Sequence, residues 1–402
     1  MSEITKPILL DETFDAKMDA LNHLISHQNA AIDLLAADKR ADAMTNIAEI
    51  ALLAKNGELL EVMDYGDQIS AAWANGSTNY NPAMNLCHES DELLEDEEQI
   101  HGCFFEWDKT TPIGIVFDEP EAIFESSSSL AAGTYYFTVK NDSWGGNNDK
   151  HIQFTLSEAL PAGYQIRKSV GYNGAVLSGT LDVYSSGSSR TKLYSLTPTE
   201  GTSGTNLGDT DGTGDLNHWQ RVALGHNRWK YSNMRQYLNA TGAMNTWWTQ
   251  QEKWDVKPAM AETTNGFLYG YSPDIYRYFK PIKTVTVACD IDNNVEDITY
   301  DRVFLSSLEQ MYCVPQFSGK EGAYWEYYKR LLGRTSPAPT GQTYTRLIKY
   351  GLDAPTSAQY CWRRSAYRYY AVSVWRVNAS GTVDYGYAYY AGRCAPSVFI
   401  SD

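Results

Sequence analysis

The C-terminal stretch of the chain is rich in side chains suited to recognition. From Tyr360 to Gly392 it carries Tyr360, Tyr367, Arg368, Tyr369, Tyr370, Ser373, Asp384, Tyr385, Tyr387, Tyr389 and Tyr390. Tyrosine gives large, rigid contact area at low conformational cost, and Ser, Asp and Arg add directional hydrogen bonds. Bond-making chemistry needs other groups. All seven histidines precede residue 227, so no imidazole in this stretch could serve as a general base. No G-x-G-x-x-G, phosphate-binding loop, H-E-x-x-H or G-x-S-x-G stands in a suitable context. The pattern predicts a binding surface with no catalytic residue, no metal ligand and no cofactor.

A scaffold is interleaved with these residues: Trp362, Arg363, Ser365, Trp375, Val377, Gly381, Val383, Arg393, Pro396, Val398 and Ile400. Val372 to Val377, the run Asn378-Ala379-Ser380-Gly381, and Thr382 to Tyr385 spell a hairpin, β-branched and aromatic residues flanking an Asn-to-Gly turn. Alternation along its second strand places Tyr385, Tyr387 and Tyr389 on one face. The alternative is an ordinary buried aromatic stripe. Gly386 and Ala388 oppose that alternative, because they offer little apolar surface for a second buried face, and each buried tyrosine hydroxyl would need a partner.

Trp362-Arg363-Arg364-Ser365, Gly381-Thr382-Val383 and Gly392-Arg393-Cys394-Ala395-Pro396 resemble the end of a C-type-lectin fold of the formylglycine-generating-enzyme type. The closest resemblance is to the variable proteins of diversity-generating retroelements, many carried by phages of gut bacteria. It covers about residues 200–402. The chain departs from that pattern at Arg364, where Leu is usual, and at Arg393-Cys394-Ala395-Pro396, where Arg-Pro-Ala is usual. In such systems adenines of a template repeat are rewritten, and Asn codons so altered cannot yield Lys, Glu, Gln, Met or Trp. None of those five occurs from Ala366 to Val374 or from Asp384 to Gly392. The enzymatic branch of the fold uses a pair of C-terminal cysteines. Cys361 and Cys394 are the C-terminal pair here, and neither stands in that branch's motif.

The 402 residues suit two or three domains. A net charge of −16 argues against nucleic acid and against anionic membrane surfaces as partners. No run of eighteen apolar residues occurs, so no spanning helix is expected, and the N-terminus reads as lacking an export signal. The six cysteines show no metal-ligand spacing and read as buried thiols. Residues 1–60 are expected to be a helical attachment and oligomerisation segment. There Phe14, Met18, Leu21, Ile25, Gln28, Ile32 and Leu35 are spaced as a coiled-coil seam, the alternative being a helix packed on its own chain, and a second helix runs from about Met44 to Ala54. Residues 61–195 read as a β-sandwich-like module, the acidic run Glu89–Glu98 within it as a solvated loop. Residues 196–402 read as the C-type-lectin-like ligand-binding domain, with a variable region at about 360–392. The expected class is thus α+β, multidomain.

Together these readings imply a phage receptor-binding, fibre-tip protein, made in a bacterial cytoplasm and carried on the virion. It would bind a host cell-surface protein or glycan, attach to phage structural proteins through its N-terminus, and form a homo-oligomer, a trimer by analogy with fibres. The alternatives are an oxidase of the formylglycine-generating-enzyme type and a bacterial surface-displayed variable binding protein.

Overall fold

The computed structural model describes residues 46–139, 150–168, 179–187, 190–209, 221–222, 224–252 and 254–402. Strands hold 35% of residues against 16% in helices, and this corrects the α+β expectation: the fold is predominantly β. Among the described residues the helices are short, the longest being Ile47–Lys55. That helix matches the second one expected from the sequence. Asn46 caps it by accepting from Ala48 N at 3.0 Å, and Gly57, at φ +71°, turns the chain away after it. The short helix Leu59–Val62 follows. The long helical segment expected over 1–60 is not found among the described residues, and the seam from Phe14 to Leu35 lies outside them.

Two five-stranded sheets build the main body. In the first, the strands run in the order Gln68–Ser70, Ala83–Leu93, Gln99–Trp107, Ser397–Ile400, Val303–Phe304. The final strand of the chain is thus held between partners far away in sequence, with Val398 opposite Phe105 on one side and Val303 on the other. Phe104 packs against Trp325, Phe399 and Phe304 at ring separations of 5.1, 5.0 and 5.9 Å. Such pairs each add about 0.5–1.5 kcal/mol beyond their buried area. In the second sheet the order is Val383–Tyr387, Ser373–Val377, Cys361–Ala366, Ala391–Cys394, Ile115–Val116.

A separate β unit lies within this body. One sheet runs Lys192–Leu196, Leu181–Tyr184, Gln165–Lys168, Phe124–Glu125; the other runs Thr199–Glu200, Lys150–Leu156, Gly133–Val139, Thr205–Asp209. Ile123, Phe137, Ile152, Phe154, Ile166 and Val183 are among its core residues. The expected 61–195 module is therefore divided. Residues 68–116 supply strands to the same sheets as the C-terminal strands, and the β unit with its own core starts near Ile123 and reaches Asp209. The acidic run also differs from expectation. Glu89 to Leu93 continue a strand, and His101 lies 2.8 Å from Asp91 and 3.3 Å from Glu89 across the pair.

The Trp362-Arg363-Arg364-Ser365 motif forms a fully buried strand. Two buried arginines require buried partners. Arg363 Nη1 donates to Glu106 Oε2 at 3.1 Å, and Lys349 Nζ lies 3.1 Å from Glu106 Oε1. Ser306 and Tyr328 also donate to this carboxylate. Arg364 instead donates to the carbonyls of Leu305 and Glu321 and to Gln310 Oε1. Ser365 Oγ donates to the Glu321 carboxylate and accepts from Leu308 N. The motif is thus a framework that locks the second sheet to the first.

Candidate functional site: a tyrosine-bearing hairpin and loop

The hairpin forms where the sequence places it. Trp375 stands opposite Tyr385, Arg376 opposite Asp384 and Val377 opposite Val383. Asn378 Oδ1 accepts from Ser380 N at 2.9 Å and Thr382 N at 3.0 Å, so the turn is an Asx-type one. Gly381 completes it at φ +87°, where a side chain would also strike Tyr344 O. Trp362, Trp375, Val377, Val383 and Val398, the residues expected beneath the surface, are all buried.

The eleven predicted site residues fall into distinct groups. Directly opposed residues of an antiparallel pair share a face, and neighbours along the strand alternate. Tyr385 therefore joins Trp375 on one face, where Tyr367 stacks on Tyr385 with ring centroids 3.9 Å apart. Tyr369 and Tyr370 pack against Tyr367 at 5.5 and 5.6 Å. Asp384 lies on the other face. It accepts from Arg376 Nε at 2.9 Å, and the Arg376 guanidinium covers the Tyr360 ring at 4.5 Å. The strand ends at Tyr387, so the alternation expected to carry on to Tyr389 stops there. Tyr389 and Tyr390 sit in the following turn, 4.7 Å apart, with Tyr390 5.6 Å from Tyr387.

Exposure divides them again. Tyr360, Tyr369, Tyr385 and Tyr390 are exposed, between 40% and 56%. Tyr367, Arg368, Tyr370, Asp384, Tyr387 and Tyr389 are half-buried. Tyr370, Tyr387 and Tyr389 pack against a small core of Leu224, Cys289, Ala371 and Val372. The expectation that the tyrosines are mostly exposed is corrected to that extent. Burial, reinforced by Tyr385 and the neighbouring rings, pushes the Tyr367 hydroxyl up to about 12. Ser373 is a correction of another kind. Its side chain is fully buried, and among the described residues its Oγ has no hydrogen-bond partner. It contributes its carbonyl to the frame and presents nothing to a ligand.

What holds the loop between the strands lies elsewhere in the chain. Asn227, fully buried, donates through Nδ2 to the carbonyls of Tyr370 at 2.8 Å, Ser373 at 3.0 Å and Tyr367 at 3.3 Å. Its own N donates to Ala371 O at 2.9 Å. Asp290 N donates to Arg368 O, Tyr389 N to Leu224 O, and Asp118 N to Ala388 O. Gln316 Oε1 accepts from Arg368 N and from Trp375 Nε1. Asp290 also pairs with the Arg368 side chain at 2.8 Å. The sequence carries no local sign of these supports, because a buried amide that serves three carbonyls is recognisable only once the carbonyls converge. Replacing Asn227 by Ala strips that donor from all three. The expected cost is roughly 1–3 kcal/mol, read as a lower urea midpoint together with faster amide exchange over 367–373.

Cys361 and Cys394 are fully buried and free, and burial raises both above the ordinary thiol range.

A family model described as a domain of unknown function, DUF6273, matches residues 202–399. The match takes in the whole tyrosine-bearing segment and leaves out the Gln99–Trp107 strand that supplies Glu106. No curated protein and no solved structure matches the chain.

Proposed function

We propose that the protein is a non-catalytic ligand-binding protein of the retroelement-diversified kind, the receptor-binding element of a phage, and that the loop and hairpin from Tyr360 to Tyr390 are its variable contact surface. The ligand is a host cell-surface protein or glycan. One observation carries the reading: besides its own strand pairing, the backbone of this segment is held by groups from outside it. Asn227, Asp290, Leu224 and Gln316 grip its carbonyls and amides, while Tyr360, Tyr369, Tyr385 and Tyr390 project to solvent. Side chains can then be exchanged at the tip with little change in the frame, which is what a surface needs if it must meet different partners. Binding would rest on a few aromatic anchors surrounded by polar contacts. The oxidase alternative lacks support of this sort, since its reactive pair would be the two buried thiols described above.

The reading is tested by sequencing the gene and its flanks through a population of the source. Substitutions are expected at Tyr360, Tyr367, Arg368, Tyr369, Tyr370, Asp384, Tyr385, Tyr387, Tyr389 and Tyr390. A near-copy of the codons for residues 360–400, with adenines at the variable positions, is expected beside a reverse transcriptase gene. Gly381 is expected to stay fixed although it lies among them, because its φ is +87° and a Cβ there would sit 2.4 Å from Tyr344 O. Changes as frequent at Trp375 and Gly381 as at Tyr369, with no such repeat, would remove the basis of the proposal.

A further inference from the structure

We propose that Glu121, His226 and Asp255 form a binding site for one divalent transition-metal cation of the zinc or manganese type, with Asp118 beside it as a third carboxylate or imidazole-orienting group. The three residues come from separate segments. Glu121 follows the Ile115–Val116 strand, His226 precedes the short helix Trp229–Tyr231, and Asp255 precedes the helix Met260–Thr263. Their ligand atoms nevertheless all lie within 4.8 Å of one another, and all three residues are buried, with exposures of 6% or less. Ligand atoms around a tetrahedral zinc ion sit roughly 3.4 Å apart, so small side-chain adjustments would close the set.

Convergence of acidic groups alone would carry nothing. The second observation is the state of His226 and Asp255. His226 is 2% exposed, and among the described residues neither of its ring nitrogens makes a hydrogen bond. Nε2 lies 3.3 Å from Asp118 Oδ2 without hydrogen-bond geometry. Asp255 Oδ2 accepts from Gln251 N and Glu252 N, both at 2.8 Å, while its buried Oδ1 has no partner among the described residues. A buried imidazole and a buried carboxylate oxygen in one cluster, each without a hydrogen-bond partner among the described residues, are costly unless something binds them. The nearby arginines have carboxylates of their own: Arg228 forks onto Asp297 at 2.6 and 2.8 Å, and Arg221 Nη2 lies 2.6 Å from Asp292. A cavity of about 310 Å³, lined in part by Glu121, His226 and Tyr231, gives a route in. One imidazole with two or three carboxylates is a donor set for zinc or manganese, whereas calcium sites use oxygen alone.

The position gives the cation a structural effect. Asp118 N holds Ala388 O, and Asn227, next to His226, holds the loop from Tyr367 to Ser373. A metal drawing these segments together would brace the frame beneath the tyrosines. The existence of the site does not depend on what that surface binds.

The test uses the full chain, freed of metal with EDTA, and titrates it calorimetrically with ZnCl2 and separately with MnCl2. One equivalent of at least one of them is expected to bind with a dissociation constant below about 10 µM and to raise the melting temperature by roughly 3 °C or more at saturation. Asp255→Asn and His226→Gln are expected to abolish binding while far-ultraviolet circular dichroism shows a folded chain. Should either fail to fold, Glu121→Gln carries the same expectation. Failure of both metals to bind saturably, or stoichiometric binding that persists in every folded variant, would overturn the proposal.

Discussion

Replacing Glu106 by Gln is expected to destabilise the protein by about 3–5 kcal/mol, the usual cost of removing one partner from a buried ion pair. Glu106 is fully buried and lies between two buried cations, Lys349 and Arg363. The substitution leaves both without their counter-charge, and it also weakens the hydrogen bonds from Ser306 and Tyr328. The same group sets an acid limit. Burial alone would raise its pKa, but Lys349 and Arg363, with the two hydroxyl donors, hold it down at about 2. Its folded value is therefore below the ordinary glutamate value of about 4.3. The unfolded chain binds the proton more readily, so the stabilisation is fully present above that value and is lost as pH falls from about 5 toward 2. Urea melts at pH 7 and at pH 3 check both parts. The natural chain should lose more stability over this interval than the Glu106→Gln variant. Equal acid sensitivity in the two proteins, or a variant as stable as the natural chain at neutral pH, would contradict the account.

How far this arrangement could be read in advance depends on the range of the interaction. The hairpin at Asn378–Gly381 was legible because its signals are local: β-branched residues, an Asn whose side chain satisfies the turn, and a Gly where φ is positive. The helix Ile47–Lys55 was legible for the same reason, from its period and its Asn-Gly end. Trp362 and Trp375 were placed correctly in the interior. The pairing of Gln99–Trp107 with the final strand was not legible. Glu106 and Arg363 stand 257 positions apart, and nothing near either residue announces the other. That is why the boundary at residue 195 cut across a sheet. Within the site, composition was informative about type but not about side. Strand parity puts Tyr360 and Asp384 behind the hairpin and Tyr385 in front, whereas the sequence had suggested one surface. Ser373 was chosen by residue type, yet its position opposite Tyr387 buries it. Asn227 lies 143 positions before Tyr370, yet it is the clamp beneath the tyrosines.

The half-buried tyrosines separate frame from contact. Tyr370, Tyr387 and Tyr389 bury part of each ring against Leu224, Cys289, Ala371 and Val372, so they belong to both. The four exposed ones lie outside that core. Changing Tyr360, Tyr369, Tyr385 and Tyr390 to Ser should alter stability by only about 0.5 kcal/mol per site, as surface changes usually do. The effect on binding should be far larger, because aromatic anchors are commonly worth about 2 kcal/mol or more each. Losing several of them is expected to weaken binding by roughly 100-fold or more.

The most direct measurement is the binding of fluorescently labelled natural protein and the four-serine variant to a panel of intact bacterial strains, with thermal melts of both proteins alongside. The account predicts that the natural chain binds a subset of strains saturably, and that the variant melts within a few degrees of it yet has lost that binding. A variant that binds the same strains with unchanged affinity would contradict it, as would one that no longer folds.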